Sequence, residues 1–141
     1  MIKRIVVDCS VAIKWFFTKN ETQVDQADKL IKQHLNNKIQ IIVPELILSE
    51  LLNVAMISKK ASPEKTGEIV HVFLKSGFQI KSINNGKYIT KSIFYTRNYK
   101  TSFYDASYVA LAKINNCQLV TDDVKLKNKT KLKFVKLLKN Y

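Results

Sequence analysis

Glycine and proline are almost missing from this chain, at three and two residues in 141. A Greek-key β fold needs such residues for its many tight turns, and low-complexity linkers are built from them, so both are excluded. Cysteine is as sparse: Cys9 and Cys117 match no metal-ligand spacing and read as reduced core residues. His34 and His71 stand alone, so a zinc site lacks ligands. No stretch approaches the ~20 apolar residues of a membrane span. The run between Lys3-Arg4 and Asp8 is too short for a signal-peptide core, and the expectation is a cytoplasmic protein with no membrane partner. Acids are scarce too, 11 against 24 Lys plus Arg, for a formal charge of +13. That excess favours a polyanionic partner, nucleic acid first, with a lysine-rich solubilising surface as the alternative.

What is present suffices for one domain over residues 1–141, with 46% hydrophobic content and no internal repeat. A chain this long buries roughly 68–70% of its unfolded surface. Ile5-Val6-Val7 is an uninterrupted β-branched run, as in a strand buried on both faces, and Ser10 is placed to cap a helix directly after it. Further strands are expected at Ile39–Val43, Phe78–Ile80, Gln118–Thr121 and Phe134–Leu137. Helical spacing fills the intervals: Glu21–Leu35, Glu45–Ser58, Ser62 to Gly77, a segment capped by Asn84, and Ser102 to Lys113. The helix from Glu45 is apolar nearly all round and is expected to be sandwiched in the interior, which makes Glu50 conspicuous. Trp15, Phe16 and Phe17 crowd one short helix, so an exposed docking patch or plain core packing is expected there. Alternating strands and helices predict an α/β fold, a three-layer α/β/α sandwich over a parallel sheet of order 3-2-1-4-5.

That order gathers acids. Asp8 ends the first strand, and Asp122-Asp123 ends the fourth beside it. Asp105 opens the helix feeding the fourth strand, and Glu50 follows the second strand from the other side. Each has a bland reading (a first-turn acid on a helix dipole, a solvated turn), but Asp8 after Ile-Val-Val does not. Clustered carboxylates repel and raise one another's pKa values, and a hard divalent cation relieves this. All-oxygen ligation points to Mg²⁺ or Mn²⁺.

Val7-Asp8-Cys9-Ser10, Pro44 to Glu50 with Asn53 after it, Tyr104-Asp105-Ala106-Ser107-Tyr108-Val109-Ala110-Leu111-Ala112, and Leu119-Val120-Thr121-Asp122-Asp123 together resemble the four acidic blocks of PIN domains, in order. The likeness is to VapC-type toxins. It implies a metal-dependent endoribonuclease acting on RNA, a homodimer, and an antitoxin protein that blocks the site. By the same resemblance Asp8, Glu50, Asp105 and Asp123 hold the metal, with Asp122 as a spare ligand or supporting residue. Ser10, Thr121 and Asn53 would support the site. Lys14, Arg97, Lys100, Lys125 and Lys127 are candidate phosphate contacts, the later lysines spaced to line an extended segment. Three other readings stay open or are weighed. A non-catalytic domain would bind RNA without cleaving it. A PIN nuclease could process RNA or DNA outside a toxin–antitoxin pair. A phosphoacceptor receiver would need an acid after the third strand, where Phe78 to Ile83 has none.

Overall fold

The computed structural model describes residues 1–141. Five strands form one parallel sheet in the order β3-β2-β1-β4-β5, flanked by seven helices. The strands are β1 (Lys3–Val7), β2 (Ile39–Pro44), β3 (Gln79–Lys81), β4 (Gln118–Thr121) and β5 (Val135–Leu137). The helices are α1 (Cys9–Ala12), α2 (Val24–Leu35), α3 (Leu46–Asn53), α4 (Pro63–Lys75), α5 (Gly86–Tyr99), α6 (Phe103–Ile114) and α7 (Val124–Thr130). No helix is long and apolar enough to cross a membrane.

Ile5, Val6 and Val7 are wholly buried, as an unbroken apolar run requires in a central strand covered on both sides. Register sets the site: Val7 pairs with Val120, so Asp8, just past the end of β1, comes beside Thr121, the last residue of β4. Helix α6 packs on β1, β2 and β4 and against α5. Seven consecutive residues, Ala106 to Ala112, are therefore buried, three of them alanines that let it approach the strands closely.

Helix α3 is less enclosed than its composition suggested. Ile47, Leu51 and, in the π turn that continues it, Ala55 are buried, while Met56 and Ile57 are exposed. Helices α1 and α4 pack against α3, and the opposite face stays open. The aromatic cluster after α1 also differs from the docking-patch expectation. Trp15 stacks on Phe78, with ring centroids 5.4 Å apart, and its Nε1–H donates to the Ala27 carbonyl at 2.9 Å. Phe17 lies beneath the Lys59 and Lys65 ammonium groups. All three aromatics pack against the core. His34 is a structural residue: Nδ1 accepts from the Ile41 N–H at 3.3 Å, which leaves Nε2–H to donate to the Ser76 carbonyl at 2.8 Å.

Candidate active site

Asp8 is the most enclosed of the acids, only 6% exposed. Helix α1 starts at Cys9, so Asp8 and not Ser10 stands at its cap, and the Asp8 carbonyl accepts the Val11 and Ala12 N–H groups. The Asp8 side chain makes no cap bond and turns into the crevice. There the Ser10 hydroxyl donates to Oδ1 and the Thr121 hydroxyl to Oδ2, each at 2.5 Å. Ser10 was expected to cap the helix; its hydroxyl is instead committed to this carboxylate and to the Asp122 N–H at 2.8 Å. Burial pushes the Asp8 carboxyl up to about 6, the two hydroxyl bonds pull it back, and the charges of Asp105 and Asp123 raise it again.

Asp105 lies in the first turn of α6, where the Ser102 hydroxyl accepts its N–H at 3.0 Å. Burial raises its carboxyl, and the Asp123 charge raises it further. Hydrogen bonding by Ser102 and Thr101 and the Lys129 ammonium act the other way. Glu50, in the second turn of α3, accepts from the Tyr108 hydroxyl at 2.6 Å. Its carboxyl is raised by burial, lowered by that bond, and raised by Asp105. The same burial and the Glu50 charge drive the Tyr108 hydroxyl far up, so it stays a donor. Asp123 caps α7, its Oδ1 accepting from Leu126 N–H at 3.0 Å, while its own N–H donates to Thr121 Oγ1 at 3.0 Å.

These four acids thus share one crevice at the carboxyl ends of the strands, the usual ligand position in open α/β sheets. Asp105 is felt by Asp8 and Glu50, and Asp123 by Asp8 and Asp105. They do not close on one point: nowhere do three His, Cys, Asp or Glu side chains converge as ligands of a single ion. Tyr108 holds Glu50 and the α7 amide holds Asp123. As a donor set they are oxygen only, which suits Mg²⁺ or Mn²⁺.

The remaining candidates divide sharply. Asp122 differs from the four in being ion-paired: its Oδ2 lies 3.0 Å from the Lys14 ammonium. Lys14 is itself buried and ion-paired, so it is no phosphate contact. The Asn53 side chain is exposed at the end of α3 and makes no hydrogen bond in this structure. The lysines after Asp123 do not line an extended strand, since residues 124–130 are helical. Lys127 turns inward and donates to the Leu132 and Val135 carbonyls at 2.7 Å each. Arg97, Lys100 and Lys125 are exposed, as is Lys129, which donates to the Lys100 carbonyl at 3.1 Å. Sequence reasoning gave no role to Thr101 or Tyr108, and it placed Lys129 only among the lysines after Asp123 that could hold phosphates. For Tyr108 a signal existed: it lies three residues after Asp105, on the same helix face.

The family model described as PIN domain matches residues 5–132. No curated protein sequence matches the chain. Among solved structures, PAE2754 from Pyrobaculum aerophilum superposes with a TM-score of 0.69 at 21% identity, over 98% of this chain and 85% of that one. VapC20 from Mycobacterium tuberculosis, a toxin that cleaves the sarcin–ricin loop, gives 0.69 at 13% identity, over 89% and 95%. A chain of VapBC2 from Rickettsia felis, bound there to a DNA fragment from its promoter, gives 0.68 at 16% identity, over 95% and 96%. At these identities the likeness is one of fold.

Proposed function

The chain belongs to the PIN-domain family, whose members are nucleases, and from that premise we propose that it is a metal-dependent endoribonuclease, the toxin of a toxin–antitoxin pair. The observation that carries the reading is the crevice in which Asp8, Glu50 and Asp105 are all raised by burial and by their acidic neighbours. An acid pushed up in this way gains most from a cation. PIN nucleases generally use divalent metal ions. Mg²⁺ or Mn²⁺ bound here would neutralise the carboxylates, lower the pKa of a water for attack on phosphorus, and stabilise charge on the phosphate and leaving oxygen.

The chain's own residues divide the work. Asp8 is the fixed point, held at both oxygens by Ser10 and Thr121. Glu50 and Asp123 each have one oxygen committed, to Tyr108 and to the α7 amide, and the other available. Lys129, whose charge reaches Asp105, would with the exposed Lys100, Arg97 and Lys125 supply the positive charge that lets an RNA backbone approach these acids.

An antitoxin and a second copy of the chain belong to the same proposal. They would cover exposed apolar side chains such as Ile89, Ile93 and Phe94 on α5 and Met56 and Ile57 after α3. The toxin assignment is supported by the likeness of fold to VapC20 and VapBC2. The test is incubation with a mixed RNA pool in Mg²⁺ or in EDTA, followed by sequencing of new ends. Discrete ends are expected in Mg²⁺ alone. Salt-sensitive binding with no cleavage in either condition would contradict the nuclease and leave a binding domain.

A further inference from the structure

Lys14 sits in the middle of the apolar run Val11–Phe17 with 3% of its side chain exposed. A buried ammonium persists only where acids meet it, and here two do: Glu21 at 3.0 Å and Asp122 at 3.0 Å. The second oxygen of Glu21 is 2.6 Å from the Lys59 ammonium, which also donates to the Lys19 carbonyl. Two cations and two anions therefore alternate from the end of β4, through the loop before α2, to the turn after α3. Asp122 is fixed a second time through its N–H, which donates to the Ser10 hydroxyl that holds Asp8. With Asp122 held on that side, the next residue, Asp123, is the one whose charge reaches Asp8 and Asp105.

We propose that Lys14 is a positioning residue: by holding the Asp122 carboxylate out of the crevice it selects Asp123 as the acid that β4 delivers to the metal. The inference rests on the metal-nuclease reading above and settles how two adjacent acids divide. Asp122 is a counterion of the clamp and not a ligand.

The experiment compares Asp122→Asn, Lys14→Met, Lys14→Arg and the Lys14→Met/Asp122→Asn double variant. Mn²⁺ affinity is measured by electron paramagnetic resonance, alongside Tm and the kcat and KM for RNA. Loss of residues that orient metal ligands typically weakens metal binding about ten- to a hundredfold. Asp122→Asn and Lys14→Met should each fall in that range, lowering kcat with KM unchanged. The double variant should be no worse than either single, and Lys14→Arg should retain most of the affinity. Tighter Mn²⁺ binding by both Lys14→Met and the double variant would overturn the proposal, because the gain would then owe nothing to a freed Asp122. A lowered Tm with unchanged Mn²⁺ affinity would overturn it as well, reducing the clamp to a structural tie. Should Lys14→Met not fold, Lys14→Gln is read in its place, since it keeps hydrogen bonds to the acids without the charge. Failure of the unaltered protein to bind Mn²⁺ would instead defeat the metal-nuclease reading.

Discussion

Asp8→Asn is expected to abolish RNA cleavage, by at least about a thousandfold, while raising the Tm of the metal-free protein. The two effects share a cause. Asp8 is buried, and its carboxyl in the folded chain is raised from 3.8 to about 6. A carboxyl that is harder to ionise folded than unfolded binds more protons in the folded state between those values. Stability therefore falls as pH rises from about 4 to 6, and the deficit persists above that. At 1.36 kcal/mol per pKa unit the penalty at pH 7.5 is about 3 kcal/mol. Asparagine keeps the shape and a hydrogen-bonding partner for Ser10 and Thr121 but carries no charge, so it removes both the penalty and the metal ligand. Melting curves in EDTA at pH 5 and pH 7.5 check this. The unaltered protein should be the more stable at pH 5, with Asp8→Asn showing a flatter dependence and a higher Tm at pH 7.5. A variant that cleaves RNA at full rate, or that melts lower at pH 7.5, would contradict the assigned role.

Thr121→Val carries the second large effect. Thr121 is wholly buried, and its one hydroxyl serves two acids, donating to Asp8 Oδ2 and accepting the Asp123 N–H. Valine has the same shape, so β4 and its packing survive. What is lost is a hydrogen bond to a charged group, costing about 1.5–3 kcal/mol, together with a partner for a half-buried N–H. Because the Thr121 bond holds the Asp8 carboxyl down, its removal lets burial push that group higher still. Cleavage should fall about ten- to a hundredfold, with its pH dependence moved to higher pH. Chemical denaturation and a cleavage pH profile measure the two. Lost stability with an unchanged profile would mean that Thr121 ties the strands together without tuning Asp8.

The sheet was legible because its rule is simple. Ile5-Val6-Val7 has no polar alternation, so it had to be covered on both faces, and crossover connections then left few strand orders. The placement of Asp8 and Asp123 follows the same rule, since the ends of adjacent strands in such a sheet meet at one edge. Side-chain partners were harder. Ser10 before an apolar helix reads as a cap, and only the structure shows that a neighbouring carboxylate wins its hydroxyl. Lysines at 125, 127, 129, 131 and 133 alternate as if along a strand, yet Asp123 caps a helix over 124–130 and sends them in different directions. Lys14 was read as a candidate phosphate contact, although a charge inside Val11–Phe17 was the signal of a buried ion pair. Its partners lay 7 and 108 residues away, beyond any local pattern. The all-round apolar character of α3 predicted more enclosure than two neighbouring helices supply.

The most direct measurement is anomalous scattering from crystals of the protein grown with Mn²⁺. The ion should appear at the carboxyl ends of β1 and β4, with Asp8, Asp105 and at least one of Glu50 and Asp123 in direct contact and Asp122 still on Lys14. Mn²⁺ absent from that crevice at saturating concentration, or bound with the four acids as far apart as they are without it, would contradict the account.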